Sequence, residues 1–173
     1  MMKSYLLGID IGTSACKVAV FDRNGKVLAA ASGDYPVYYP HEGWAEQNPE
    51  DWWDAVCRAT KETIQKADIT ADEIAGIGID GQSWSAIPID REGNVLANTP
   101  IWMDTRAQSI CDRLNQEIGQ EEIFEVAGNS LQPSYSTAKI LWYKENLPEV
   151  YAKIHKILQS NSYIAFKLTG AIT

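Results

Sequence analysis

Cysteine, histidine and positive charge are all scarce in this sequence. The three cysteines, Cys16, Cys57 and Cys111, lie far apart, and none belongs to a CxxC or Cys/His pair. That pattern excludes a disulfide scaffold and a zinc module, and it implies reduced thiols and a cytoplasmic location. His41 and His155 are isolated, so a histidine-based metal site is not expected. The 15 Lys and Arg are outnumbered by 23 Asp and Glu, for a net charge of -8. A surface of that sign repels a phosphate backbone, so no nucleic-acid partner is expected. Single nucleotides are not excluded, because local backbone N–H groups and a metal can hold them. No apolar run approaches the ~20 residues needed to span a bilayer, so no membrane partner is expected either. Lys3 is followed by only a short apolar run before Asp10, without a small-residue cleavage site, which does not read as a secretory signal. There is no internal repeat, no low-complexity stretch, no GxxxxGK[ST] loop and no GxGxxG before a helix.

What is present is a chain of 173 residues, 45% of them hydrophobic, enough for one domain with a real core. Tyr5–Ile11, Lys17–Phe21 and Val27–Ala31 read as three strands in an antiparallel meander, with a tight Gly turn first and Asn24-Gly25 second. A loop rich in Pro, Tyr and Gly follows over 35–48. Asn48 then caps a helix, with Pro49 at its first position and Glu50 and Asp51 at its positive end. Strands are expected at Ile74–Ile79 and Ser85–Ile89, and short extended segments at Val95-Leu96 and Ile101–Met103. Helices are expected at 105–118, 121–127, 135–145, 148–154 and 162–168, with a strand at 157–159 between the last two. Strands first, then helix–strand alternation, predict an α/β fold with a mixed sheet flanked by helices.

Chemistry concentrates in Gly8-Ile9-Asp10-Ile11-Gly12-Thr13-Ser14. An acid at the end of a buried strand projects at the strand edge, and Gly12 lets the backbone turn without a Cβ clash. Thr13 and Ser14 add hydroxyls and N–H groups. Such a turn can hold phosphate oxygens while Asp10 holds a magnesium ion, directly or through water. The same residues also suit a plain hairpin turn.

The surrounding residues decide between these readings. The Asp10–Ser14 turn with its meander resembles the first phosphate loop of the actin-like ATPase superfamily. Trp44-Ala45-Glu46-Gln47-Asn48-Pro49-Glu50-Asp51-Trp52-Trp53 resembles the W-x-E-Q-x-P-x-x-W-W segment of the FGGY carbohydrate kinases. Ile77–Gln82 is similar to their I-G-x-x-G-Q strand end, and Pro100–Arg106 to their P-x-I-x-W-x-D-x-R segment. Lys139-Ile140-Leu141-Trp142 with Pro148-Glu149, and then Leu168-Thr169-Gly170, look like later segments of that family. The matches run in order over nearly the whole chain, 1–173, which is read as the N-terminal domain of such a kinase.

The resemblance implies a ribonuclease H-like half of the actin-like ATPase fold, with ATP and Mg2+ as cofactors and a small sugar as partner. Asp10 becomes the metal-associated catalytic acid, Gly12, Thr13 and Ser14 become phosphate-side residues, and Lys17 either approaches a phosphate or is a solvated strand lysine. Gln82, Ser83 and Trp84 are expected to line the sugar pocket, with Trp84 either stacked on the sugar or packed in the core. Trp102 gives an apolar wall, Asp104 is expected to accept from sugar hydroxyls, and Arg106 either contacts the sugar or only orients Asp104. Trp52, Trp53 and Trp142 are read as structural, and Trp44 either as structural or as an edge of the pocket through its loop. The overall look is nearest the xylulose kinases. These carry Met-His after the glutamine and glycerol kinases carry Arg-Glu, whereas this chain has Ser83-Trp84. The family's general base and adenosine pocket are expected outside residues 1–173, which makes this chain alone inactive and its exposed surfaces prone to homodimer formation. A non-sugar ATPase and a non-catalytic binding module are the alternatives.

Overall fold

The computed structural model describes residues 4–172, so Lys3 and Thr173 lie outside the described residues. Along the chain the strands are β1 (Tyr5–Ile11), β2 (Ala15–Phe21), β3 (Val27–Asp34), β4 (Glu46–Gln47), β5 (Ile74–Gly81), β6 (Ile87–Ile89), β7 (Thr99–Pro100) and β8 (Lys156–Leu158). The helices are α1 (Pro49–Lys66), α2 (Gln108–Glu117), α3 (Gln120–Ala127), α4 (Ser136–Asn146), α5 (Pro148–Tyr151) and α6 (Ser160–Thr169). These elements divide into two compact units, each made of discontinuous segments.

The first unit comprises the described residues up to Val37, then Asn48–Gln82, and then Ser160 onward. Its sheet has the order β3-β2-β1-β5, with β1, β2 and β3 antiparallel and β5 parallel to β1. Alternation decides which face is covered. Leu7, Ile9 and Ile11 of β1 are buried, and so are their cross-strand partners Val20, Val18 and Cys16. Helix α1 packs on β2 and β3, burying Trp52, Ala55, Val56, Ala59 and Thr63 at helical spacing. It begins as the sequence dictates: the Asn48 side chain accepts from the Glu50 N–H at 3.1 Å, and Pro49 occupies the first turn. The Thr63 hydroxyl donates back to the Ala59 carbonyl at 2.7 Å. Helix α6 packs against β5 and is tied to α1, with Lys167 Nζ 2.9 Å from Glu50 and the Tyr163 hydroxyl donating to Glu50 at 2.7 Å.

The second unit comprises Tyr38–Gln47 and Ser83–Gln159. Two small antiparallel pairs, β4 with β7 and β6 with β8, frame a helical core. Ala86, Ala107, Ile110, Cys111, Ala138, Trp142 and Tyr143 form that core. Tyr143 is buried but satisfied: its hydroxyl donates to the Ala86 carbonyl at 3.0 Å. One expected strand is not extended. Ile101–Met103 forms a turn, closed by the Asp104 N–H donating to the Ile101 carbonyl at 3.0 Å, and the strand in this region is β7, just before it. Among the described residues no helix is long and apolar enough to cross a membrane.

Candidate active site

In the first unit, the strand register assembles a row of charges. Asp10 on β1 has Lys17 as its antiparallel partner on β2 and Asp80 as its parallel partner on β5. All three side chains are exposed and line one shallow hollow of about 980 Å³. Asp80 was not singled out by sequence, because its place beside Asp10 comes from a pairing between residues 70 apart in the chain. The available signal was an acid occupying the corresponding strand end of a second apolar strand. Two hard carboxylate groups side by side suit a magnesium ion that takes its remaining ligands from water and phosphate. Among the described residues no three acidic, cysteine or histidine side chains converge, so the chain offers a metal no closed cage.

The turn next to Asp10 is tightly built. The Gly12 N–H donates to the Ala15 carbonyl at 3.1 Å, and the Gly12 carbonyl accepts from the Tyr35 hydroxyl at 2.6 Å. A Cβ on Gly12 would come within 2.9 Å of the Ala15 oxygen, which explains the glycine. The Gly12 N–H is therefore used within the turn. Ser14 is exposed and Thr13 half-buried. Burial of the Tyr35 ring holds its phenol protonated far above the ordinary tyrosine range.

At the end of β5, the Gln82 N–H donates to the Ile11 carbonyl at 2.8 Å, and the Gln82 carbonyl accepts from the Ser160 hydroxyl at 2.8 Å. Gln82 is thereby fixed by its backbone at the same sheet edge as Asp10. Gly81 makes this possible, because a Cβ there would collide with the Ser160 hydroxyl. Gly81→Ala is expected to destabilise the protein by about 1–3 kcal/mol, read as a shift in a urea unfolding curve. A shift equivalent to less than about 0.5 kcal/mol would show that Ser160 moves aside without consequence.

The remaining site residues belong to the second unit. Ser83 is exposed, and Trp84 and Trp102 are 43% and 45% exposed. Trp84 is not a core residue. Its backbone is left-handed, with φ 64°, and its ring lies 4.9 Å from that of Tyr135 at an angle of 42°. It forms one edge of an apolar groove of about 640 Å³ that also includes Ile118, Ile123 and Val126.

Asp104 and Arg106 differ from what the sequence suggests. Asp104 is 0% exposed. Its carboxylate accepts from the Ala45 N–H at 2.7 Å, from the Arg106 N–H at 3.0 Å and from Arg106 Nε at 2.9 Å. The Arg106 side chain is 3% exposed, and its Nη2 also lies 2.8 Å from Glu46. The guanidinium stacks 3.8 Å from the Trp44 ring centroid and 5.0 Å from that of Trp142. The expectation that Asp104 accepts sugar hydroxyls is corrected: both oxygens are already engaged and no surface of the group is open. Of the two readings of Arg106, the structure favours pairing with Asp104. Together they lock the Trp44 loop to the β7 turn.

The chain has an acid-bearing strand, a closed Gly turn and an antiparallel meander joined to a parallel strand, and solved structures with the actin-like ATPase fold superpose on it. Residues 5–173 match the sequence profile of the N-terminal domain of the FGGY family of carbohydrate kinases. The chain is 35% identical over 168 residues to xylulose kinase of Bacillus subtilis, covering 97% of the chain and 34% of that enzyme. It is 32% identical over 174 residues to glycerol kinase of Rhizobium meliloti, covering 98% and 35%. Ligand-bound xylulose kinase from Lactobacillus acidophilus superposes with a TM-score of 0.89 at 32% identity, over 97% of this chain and 34% of that one. The chain belongs to the FGGY family of carbohydrate kinases, and it spans about a third of the length of the curated relatives it matches.

Proposed function

We propose that the complete protein transfers the γ-phosphoryl group of ATP to a hydroxyl of a ketose or polyol. The observation that carries this reading is the Lys17–Asp10–Asp80 row beside the Gly12 turn, in a chain of this family. Phosphoryl transfer asks little covalent chemistry of a protein and depends on positioning and charge neutralisation. Asp10, with Asp80 beside it, would hold Mg2+ directly or through water, and that ion when bound would offset the charge of the phosphate oxygens. Lys17 supplies a fixed positive charge across from Asp10, and Thr13 and Ser14 face the phosphate side. Gln82 is assigned to the acceptor side, and Ser83, Trp84 and Trp102 of the second unit are assigned to the sugar. A xylulose-like ketose is the favoured acceptor, since xylulose kinases are prominent among the relatives. Ser83-Trp84 reshapes the pocket relative to both Met-His and Arg-Glu types. The general base is assigned to no residue of 1–173.

A screen of ketoses and polyols with the complete protein, read as acceptor-dependent ADP release, tests this. One or more acceptors should stimulate release. ADP release that no sugar or polyol changes would sink the kinase reading in favour of a non-sugar ATPase. Residues 1–173 alone should show no acceptor-dependent release, and steady turnover by them would place the base within this chain.

A further inference from the structure

Lys139, in α4, is fully buried. Its Nζ donates to the Trp84 carbonyl at 2.7 Å and to the Ile101 carbonyl at 2.8 Å. One ammonium reaches both oxygens only when the two loops lie side by side. Each loop carries one of the two exposed tryptophans of the site, Trp84 itself and Trp102 immediately after Ile101. The Ile101 carbonyl also accepts the Asp104 N–H that closes the turn bearing Trp102. Lys139 thus holds the oxygen on which that turn is built.

The Trp84 side of the bridge is strained. A left-handed backbone at a bulky residue is unfavourable and persists only where the surroundings fix it. Lys139 bonds to the carbonyl of that same residue, and Tyr135 packs on its ring. Burying a lysine is itself unfavourable, and an apolar side chain would fill this place in α4 at lower cost. Burial pushes the amine down to about 7, with the Asp104 carboxylate pulling it up and the Arg106 guanidinium pushing it down. A costly buried donor aimed at two carbonyls is explained by what the carbonyls carry.

We propose that Lys139 is a positioning residue for the acceptor, clamping the Trp84 and Ile101 carbonyls so that Trp84 and Trp102 are held as paired apolar walls for the carbon face of a sugar or polyol. This rests on the kinase reading above.

The test compares Lys139→Met, which keeps the volume but has no donor, with Lys139→Arg, which keeps donors, in the complete protein. Lys139→Met should raise the acceptor KM about tenfold and leave the ATP KM within twofold. Lys139→Arg should recover the acceptor KM to within threefold of the original. In a Trp84→Ala/Trp102→Ala background, Lys139→Met should add less than a twofold change, because the walls it positions are gone. A fall in Tm with the acceptor KM unmoved, or an equal rise in both KM values, overturns the proposal. If Lys139→Met does not fold, Lys139→Leu, which also lacks a donor, takes its place under the same criteria. Acrylamide quenching of tryptophan fluorescence reads the clamp without activity. The quenching constant should rise about twofold in the donor-less variant and not in its Trp84→Phe/Trp102→Phe counterpart. An unchanged constant overturns the clamp even where no acceptor is turned over. An unmodified protein that phosphorylates no sugar or polyol sinks the kinase reading separately.

Discussion

Asp10→Ala in the complete protein should lower acceptor-dependent ADP release by about 10²–10³-fold or more, with the fold unchanged. The carboxylate sits at the end of β1, exposed on the sheet surface, between Lys17 and Asp80 in register. Nothing in the core depends on it, so the stability change should stay within about 0.5 kcal/mol. Its removal leaves Lys17 and a single carboxylate at the position proposed above for a metal and phosphate oxygens. Asp10→Asn separates charge from shape, since it keeps the volume and loses the charge, and it should be nearly as inactive as the alanine variant. Raised Mg2+ should partly restore the asparagine variant if Asp80 retains some hold on the ion. Steady-state kinetics with matched unfolding curves give the answer. A variant within tenfold of the original rate would remove Asp10 from the reaction.

Arg106→Leu should cost about 3–5 kcal/mol of stability. The guanidinium is almost wholly buried and joins Asp104 and Glu46 while stacked on Trp44. Deleting it leaves the Asp104 carboxylate enclosed, with backbone N–H groups but without its cation. That penalty is a large share of the ~5–15 kcal/mol that holds an ordinary domain together. Arg106→Lys should recover only part of it, because an ammonium cannot make the forked contact or the stacking. The double change Asp104→Leu/Arg106→Leu should be less damaging than Arg106→Leu alone, since no uncompensated carboxylate is left at position 104. Denaturant midpoints of the three variants decide the matter. A single-variant loss below about 1 kcal/mol would mean that water reaches Asp104 and the lock is dispensable.

Local signals made the meander, α1 and its cap legible. Alternating apolar residues, Asn24-Gly25 and Asn48-Pro49 each act within a few residues of themselves. Asp10 and its turn could be singled out for the same reason. Asp80 could not, because its meaning depends on which strand pairs with β1. Asp104 was read as a sugar ligand, whereas its carboxylate is enclosed and paired with Arg106. A lone Asp-x-Arg spacing does not tell whether Ala45, Glu46 and Trp44 will close over the pair. Lys139 was visible only as one letter of a motif. That its ammonium bridges two loops depends on how α4 packs under them, which no spacing encodes.

The two compact units are interleaved along the chain, and this has a consequence for synthesis. The sheet of the first unit is written by Gly81, but α6, which packs on β5, begins only at Ser160. At ~5–20 residues per second, the ribosome takes roughly 4–16 s to make the intervening stretch. During that interval β5 waits bare on the face that α6 will cover, while the second unit is itself still being written, its β8 ending only at Leu158. The nascent chain therefore holds an unfinished sheet until the whole of the second unit has been written.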